Sequence, residues 1–322
     1  MGFTSQDDLI TQLTVNGKGD TVVTTKTLSS AGTAGAWTLL AGHGGYPPAA
    51  TFTGADLTYV PTDDTWSEGT IYTGGDVSTA TKHFLSAGAA CVAAAGAPWY
   101  VMAIDLVGFV PLSGANVSTT GTKTVTMTAI AATASKGDRY ANGAGLRMFV
   151  AADTALGANA PTCIVNYLDT GGAPGATTTF TSTASMGVGQ LLNTGAAANK
   201  YNPFLPLAAG DTGVSDIVSL VWAGTAHASG TVIIGLCKPL WTVPVPATGL
   251  YNKVDFVNAL PSMRKIPDGA NIQFLLFQTG ATTSAGTINV AFDLAYGGYC
   301  VASRERLQGL LGVLPEFRGY CF

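Results

Sequence analysis

Short hydrophobic stretches, separated by glycine, proline, alanine and threonine, recur along the whole chain. In residues 124–128, valine and methionine alternate with threonine, and in residues 288–294, large apolar residues alternate with smaller or polar ones. Alternation with a period of two is typical of a strand that buries one face. Together with short continuous apolar runs, it predicts strands at residues 37–40, 57–60, 99–110, 123–130, 146–150, 162–168, 216–222, 231–237, 272–278 and 287–294.

Many short strands joined by turns predict a mainly β protein, built as an antiparallel β-sandwich or a jelly-roll-like fold. The length of 322 residues fits one large β-domain or two packed β-domains. A boundary is suggested at residues 113–122, a stretch rich in serine, threonine and glycine, or alternatively at residues 187–206. We therefore divide the chain into an N-terminal arm with a short helix (1–30), a first β region (31–115), a second β region (116–300) and a C-terminal tail (301–322).

A short helix is predicted near the start of the sequence. Ser5 can cap its N-terminus, with Asp8 three positions later as the acidic partner of a capping box, and Gly17 can end it. A segment this short does not form a stable helix alone in water. Its apolar side therefore needs a partner surface, on a neighbouring subunit or on the chain's own sheet. The residues of that side, which we predict as assembly contacts, are Leu9, Ile10 and Leu13.

Two further helices are predicted towards the end of the chain. Mixed periodicity before Pro261 favours a helix over residues 253–260, and Ser303 as N-cap favours another over residues 303–311. Gly309 weakens this last helix by about 1 kcal/mol relative to alanine. The expected fold is thus mainly β, with short helices near the N-terminus and the C-terminus.

Charged residues are scarce, at 11% of the chain, with a net charge of −4 and 15 lysines and arginines spread thinly. Nucleic-acid binding draws much of its affinity from clustered basic residues, so no direct nucleic-acid partner is expected. Proteins with so few surface charges tend to associate. The composition therefore favours a homo-oligomer, or a subunit whose neutral β-surface is covered by other subunits.

Membrane and secretory signals are missing from the sequence. No apolar stretch approaches the ~18 residues of a membrane-spanning helix, and residues 1–8 are acidic rather than basic, unlike a cleaved signal peptide. The five cysteines lie far apart without a Cys-x-x-Cys pair, which argues against structural zinc and for reduced thiols in a cytoplasm. Cys300 and Cys321 are the two that could pair with each other or link subunits.

The sequence also lacks recognisable catalytic motifs. His43, His83 and His227 lie far apart, and each is interpreted as a turn or surface residue. No nucleophile elbow, P-loop or dinucleotide fingerprint occurs. We therefore predict no catalytic, cofactor-binding or metal-binding residues and no enzymatic activity.

Aspartates and tryptophans are the remaining candidates for chemistry. Asp63 and Asp64, beside Trp66, would be a weak calcium or sugar site. The tryptophans are interpreted as core residues rather than a sugar-stacking platform. The aspartates are interpreted as turn-forming or solvated residues, and they are Asp63, Asp64, Asp105, Asp169, Asp211, Asp216 and Asp293.

Three blocks of the sequence carry a resemblance to a known group of proteins. They are FTSQDDLI (3–10) with VNGK (15–18), VWAGTAHASGT (221–231) with CKPL (237–240), and NVAFDLAYG (289–297). These blocks resemble a group of tailed-bacteriophage virion proteins. The resemblance implies a structural role in a phage particle that is assembled in the host cytoplasm, with other virion proteins, the major capsid protein among them, as partners. It implies no catalytic residues.

We therefore expect a non-enzymatic structural protein of a bacteriophage particle that works by assembly. A capsid decoration or minor capsid protein that stabilises the head is preferred, because the sequence lacks the long charged helix and acidic stretch expected of a major capsid protein. A major capsid protein and a tail or adaptor component are alternatives of the same class. A glycan-binding receptor-recognition β-domain is the alternative of a different class.

Overall fold

The computed structural model describes residues 6–28, 34–66, 69–71, 73, 77, 81–92, 97–134, 138–194, 202–258, 264–280 and 286–297. The predicted helix at residues 303–311 and the pair Cys300 and Cys321 lie outside these ranges. Within them, the α-helices are α1 (Gln6–Thr14) and α2 (Ala115–Ser118). The strands of the first half are β1 (Gly19–Thr27), β2 (Trp37–Leu39), β3 (Gly44–Tyr46), β4 (Val60–Pro61), β5 (Thr81–Val92), β6 (Trp99–Leu112), β7 (Gly121–Thr124) and β8 (Arg147–Ala152). Those of the second half are β9 (Thr162–Asp169), β10 (Pro174–Ala176), β11 (Phe180–Thr181), β12 (Val214–Ala223), β13 (Val232–Val245), β14 (Tyr251–Asp255), β15 (Lys265–Ile266), β16 (Ile272–Gln278) and β17 (Thr287–Gly297).

The protein is mainly β, as the sequence predicts, and its strands form three antiparallel sheets. Sheet A has the order β14-β5-β17-β1-β3, with β15 also paired to β5. Sheet B has the order β2-β16-β6-β13-β8, with β4 paired to β6, and sheet C has the order β10-β9-β12-β7, with β11 paired to β9. Sheets A and B both combine strands from either side of residue 115, so this predicted boundary does not separate the sheets. As a boundary between folding units it stays a prediction.

Sheet B is the centre of the molecule, because its long strands β6 and β13 take part in more than one hydrophobic core. Trp99 and Val101 at the start of β6 pack with residues of sheet A, including Phe292. Val110 and Leu112 at the end of β6 pack with residues of sheet C. A third core covers the opposite face of sheet B. Sheets A and C therefore each bury one face on sheet B and turn the other face outward.

Asp105 of β6 forms a buried ion pair with Arg139. Along β6, Asp105 lies between the residues that enter the first core and those that enter the second core. The Arg139 guanidinium donates to both carboxylate oxygens of Asp105, at 2.7 and 2.6 Å. Tyr140 Oη and the Asn271 backbone N–H also donate to this carboxylate, at 3.0 and 2.9 Å. Burial raises the pKa of Tyr140 well above its usual value, and the neighbouring Asp105 raises it further. Asp105 was expected to be solvated or turn-forming, and this prediction is wrong.

The period-two pattern located strand faces correctly where the alternation was clear. Val125 is buried and Met127 half-buried, while the alternating Thr124, Thr126 and Thr128 are exposed. The regular strand β7 nevertheless ends at Thr124, before these residues. The alternation therefore predicted the buried side chains correctly, but it did not predict where the hydrogen-bonded strand ends.

Strand β14 replaces the helix predicted at residues 253–260. Residues Tyr251–Asp255 pair antiparallel with β5, and a turn follows at 256–258. Phe256 is buried in the core of sheets A and B, and Val254 packs against that core. Two apolar residues separated by one position share a face in extended chain but not in a helix, which is why the mixed periodicity was misleading.

Candidate assembly surface

Helix α1 packs on the chain's own sheet A, which is the second of the two alternatives offered by the sequence. Leu9 is buried. Leu13 lies directly over Gly19, where an added Cβ would come within 2.7 Å of Leu13 Cδ2. Gly17, at φ = +61°, turns the chain from the helix into β1. Ile10 is 49% exposed and is the predicted contact residue that remains available to another molecule.

The outer face of sheet A, meaning the face turned away from sheet B, continues from α1 across four or five strands. The opposite face carries the core residues Ile288, Val290, Phe292 and Leu294 of β17. Directly paired residues of antiparallel strands share a face, so the outward rows follow from the register. These rows are Thr21–Asp293–Ser86–Asp255, Val23–Ala291–Gly88–Lys253 and Tyr46–Thr25–Asn289–Ala90–Tyr251.

Large apolar side chains are exposed on this outer face. Tyr46 is 70% exposed, Val23 57%, Tyr251 55% and Val92 44%. Two of them, Tyr46 and Tyr251, stand at opposite edges of one row, with smaller residues between them. The Tyr251 ring lies over Gly88 and leaves no room there for a Cβ. The face is therefore bounded by aromatic edges around a centre of small side chains.

The polar groups of the outer face are largely satisfied within the sheet. Thr21 Oγ1 donates to Asp293 Oδ1 at 2.8 Å, and Lys253 Nζ forms an ion pair with Asp293 Oδ2 at 2.9 Å. Burial alone would raise the pKa of Asp293, but hydrogen bonds from Ser86, Lys253 and Thr21 outweigh it and hold this pKa below its usual value. Thr25 Oγ1 donates to Asn289 Oδ1 at 2.9 Å. These contacts leave little unbalanced charge on the face.

A buried lysine fixes the edge strand that carries Tyr46. Lys26 Nζ donates to the backbone carbonyls of Pro47, Pro48 and His43, at 2.8, 3.2 and 3.3 Å. Burial lowers the pKa of Lys26 to about 8. Burial and the neighbouring Lys26 charge lower the pKa of His43 to about 4. The three carbonyls lie on both sides of Tyr46 in sequence, so Lys26 holds β3 against β1 from beneath.

The predicted aspartate candidates are dispersed. Within the described residues, no three His, Cys, Asp or Glu side chains come together as a metal site. Asp63 accepts from the Thr65 backbone N–H at 2.9 Å, and Asp211 accepts from Tyr167 Oη at 2.5 Å. Asp169 accepts from two backbone N–H groups in the turn after β9, as expected of a turn former.

All three histidines are buried, so none is a surface residue; His43 and His227 lie in loops and His83 lies in β5. His227 Nε2 lies 3.0 Å from Ser182 Oγ. Sequence reasoning missed this serine–histidine pair, because the two residues are 45 positions apart in the sequence. Both side chains are enclosed, at 0% and 2% exposure. An enclosed pair offers a substrate no access, so its geometry suits packing beside Trp222 rather than nucleophilic attack.

The tryptophans and the described cysteines behave as core residues. Trp99, Trp222, Trp241 and Trp37 are buried, and Trp66 is half-buried against Phe52 and Phe109. Burial raises the pKa of the Cys163 and Cys237 thiols well above the usual value.

Among the helices that the structure describes, none has the length and apolar character needed to cross a bilayer.

Comparison with known proteins returns weak similarity to solved structures only. No protein-family model and no curated protein matches the chain. A structure of infectious bursal disease virus, Gt strain, is 9% identical, with 91% of this chain and 88% of that chain covered and a TM-score of 0.19. A mutant VP2 protein of the same virus, in derived particles, is 11% identical over 96% and 91%, with a TM-score of 0.20. The VP2 subviral particle of that virus is 8% identical over 92% and 88%, also with a TM-score of 0.20. Scores this low carry no argument about function.

Proposed function

We propose that the chain is a non-enzymatic structural protein of a virus particle, and within that class a capsid decoration or minor capsid protein of a tailed bacteriophage. The observation that supports the proposal is the outer face of sheet A. Four large apolar side chains, Tyr46, Val23, Tyr251 and Val92, are exposed on this one face, and exposed apolar surface of this kind suits a contact with another subunit. The three blocks of sequence that resemble phage virion proteins supply the phage context, with the virion as location and assembly in the host cytoplasm.

The size of the outer face suits a subunit contact. Five strands at about 4.8 Å spacing and about nine residues at about 3.4 Å rise give roughly 700 Å². Specific interfaces bury about 800 Å² per partner. Sheet A alone is therefore large enough to carry most of one contact, and the exposed Ile10 on α1 extends it.

The chemistry of the face also suits assembly. The ion pair that the structure describes on this face, between Lys253 and Asp293, has no net charge. The attraction in a contact would then come from apolar burial at Val23, Tyr46 and Tyr251, which salt screens weakly. We propose another virion protein as the partner. For a decoration protein this partner is the major capsid protein, and in a homo-oligomer it is a second copy of the chain.

The decisive experiment is a quantitative protein gel of purified particles, with position assigned by electron microscopy. A decoration protein is expected at a copy number comparable to that of the major capsid protein and on the outside of the head. A few copies at the neck or tail would favour the tail or adaptor alternative, and a continuous shell of this chain would favour a major capsid protein. Absence from particles would contradict the proposal, and specific binding to a glycan array would favour the receptor-recognition alternative.

A further inference from the structure

A pocket opens at the end of sheet B that packs with sheet C, where the loop at residues 52–56 meets the end of β6 and the start of β13. Its volume is about 200 Å³, roughly the share of seven water molecules at about 30 Å³ each. This room is comparable to that taken by the non-hydrogen atoms of one long side chain. The pocket lies at the opposite end of β6 from the residues that pack with sheet A, so it is separate from the outer face of that sheet.

The pocket combines an apolar floor with acidic walls. Its most buried lining residues are Phe52, Leu112 and Val232. Asp153 is half-buried in the wall, and Asp56 is exposed near the mouth. The described residues that line the pocket include no lysine or arginine. A ligand of this pocket therefore meets apolar surface below it and negative charge at its sides.

Neutral groups alone fix the two carboxylates. Asp56 accepts from the Ser113 backbone N–H at 2.7 Å and from the Asn116 side-chain amide. Asp153 accepts from Thr231 Oγ1 at 3.0 Å. Burial raises the pKa of Asp153, and this one hydrogen bond does not offset it. In the part of the chain that the structure describes, neither carboxylate forms an ion pair, and each can accept further hydrogen bonds.

We propose that this pocket binds the guanidinium group of an arginine side chain from another subunit. A guanidinium has flat, weakly hydrated faces that pack on apolar and aromatic surface, and its edge carries N–H groups that match carboxylates. The apolar floor at Phe52 suits the flat face, and Asp56 and Asp153 suit the edge. A lysine ammonium is compact and strongly hydrated, so it would lose more on an apolar floor. A calcium ion takes six to eight oxygen ligands, which an apolar floor does not supply.

The inference goes beyond the proposed function, because it adds a second contact site apart from the outer face of sheet A. It rests on the proposed function only for the kind of subunit that supplies the arginine. Binding to the pocket is tested on the isolated chain, so failure there would leave the role in the particle untouched.

The first test is a titration of the full natural chain with n-butylguanidinium, a model of the arginine side chain. NMR shifts of the Ser113 and Thr231 backbone amides should saturate with a Kd on the order of 1 mM. n-Butylammonium should bind at least about fivefold more weakly, and n-butanol should not saturate. Equal binding of the three compounds, or displacement of n-butylguanidinium by equimolar Ca²⁺, would overturn the inference.

A pair of isosteric variants tests the role of the carboxylate. Asp153→Asn keeps the acceptor for Thr231 but removes the charge, so it should raise the Kd of n-butylguanidinium about tenfold. Asp216→Asn is the matched control, because Asp216 is also a half-buried aspartate whose pKa burial raises, but it lies in sheet C outside the pocket. Asp216→Asn should leave the Kd unchanged, and equal effects of the two changes would contradict binding at Asp153. The comparison of the three probes on the natural chain needs no variant, so it stands even if Asp153→Asn does not fold.

The second test separates an arginine of another subunit from a free guanidinium compound. In competition with the natural chain during particle assembly, Asp153→Asn should be incorporated several-fold less, and Asp216→Asn should be incorporated normally. Normal incorporation of an Asp153→Asn chain that no longer binds the probe would assign the pocket to a free compound and overturn the inference. Absence of the natural chain from particles would instead contradict the proposed function.

Discussion

Sheets A and C both bury one face on sheet B, but their outward faces differ. On sheet A, Val23, Tyr46 and Tyr251 are each more than half exposed. On the described outer side of sheet C, Val218 is the most exposed large apolar residue, at 39%, and Ile164 is half-buried. The centre of that side is polar, with Asn166 Nδ2 donating to Ser219 Oγ at 2.9 Å.

The two faces differ in the large side chains that they expose. Sheet A exposes two tyrosines and the Lys253–Asp293 ion pair, whereas sheet C exposes Val218 beside threonine, serine and asparagine residues. Sheet A also carries two buried lysines, Lys26 and Lys82, whereas Lys123 of sheet C is partly exposed.

The comparison of sheets A and C assumes that both pack on a rigid sheet B. Asp105→Ala tests that assumption. The change leaves the Arg139 charge buried without its partner, which costs about 3–5 kcal/mol. Urea unfolding should show this loss of unfolding free energy. The matched control is Lys253→Met, which removes the more exposed partner of the pair with Asp293 and should cost less than about 1 kcal/mol. Equal effects of the two changes would contradict a central role for the buried pair.

Lys26 should make the stability of sheet A depend on pH. Its folded-state pKa of about 8 lies below the ordinary value of 10.5, so the folded chain binds fewer protons than the unfolded chain between these values. The free energy of unfolding should therefore rise with pH across this window, by about 3 kcal/mol, and be flat below pH 8 with respect to this group.

The measurement for Lys26 is the difference in unfolding free energy between the natural chain and Lys26→Met at pH 7, 8, 9 and 10. Subtraction removes the titration of groups common to both chains. A difference that does not change with pH would show that the ammonium, held by its three carbonyls, keeps its ordinary pKa.

Leu9 and Ile10 are neighbours in sequence that should differ in their effects. Leu9→Ala removes a buried contact of α1 and should lower the free energy of unfolding by about 2 kcal/mol. Ile10→Ala removes an exposed side chain and should change it by less than about 0.5 kcal/mol, while lowering incorporation into particles. If Ile10→Ala leaves incorporation unchanged, the proposed assembly contact is confined to the sheet.

Val23→Asp and Val218→Asp form the direct test of the two outward faces. Both place a charge on an exposed strand position, so both should fold. Val23→Asp should reduce incorporation into particles about tenfold, because burying an unpaired charge in a contact is costly. Val218→Asp should incorporate normally. The readout is competition with the natural chain during assembly, and equal loss from both variants would remove the distinction between the faces.

Salt should have the smallest effect. A contact made by the neutral outer face of sheet A should survive an increase to about 1 M salt, where the Debye length is about 3 Å. Sedimentation of particles after salt treatment measures what is released. Release by salt alone would show that charges hold the protein on the particle, and release by chelator alone would make Asp63, Asp64 and Asp211 the first residues to test.

The sequence predicted most of the strands that show clear alternation or a continuous apolar run, and it missed most of those that show neither. β5 was not predicted, because its centre is rich in alanine and glycine, which are depleted in strands. It is a strand because it lies between β14 and β17 in sheet A. The Asp105–Arg139 pair was equally hidden, because the two residues are 34 positions apart and Asp105 lies within an apolar run.

The inward face of β17 follows from the alternation in its sequence, which is enough to orient Ile288, Val290 and Phe292. The faces of β1 do not, because its residues Gly19–Thr27 do not alternate and their orientation depends on the pairing with β17. The register pairs Lys26 with Ile288 and Val23 with Ala291, so the lysine is buried and the valine exposed. The physical reason is that directly opposed residues of antiparallel strands share a face, and a slip of one residue would reverse the assignment. The candidate assembly surface thus depends on a strand pairing across most of the chain's length.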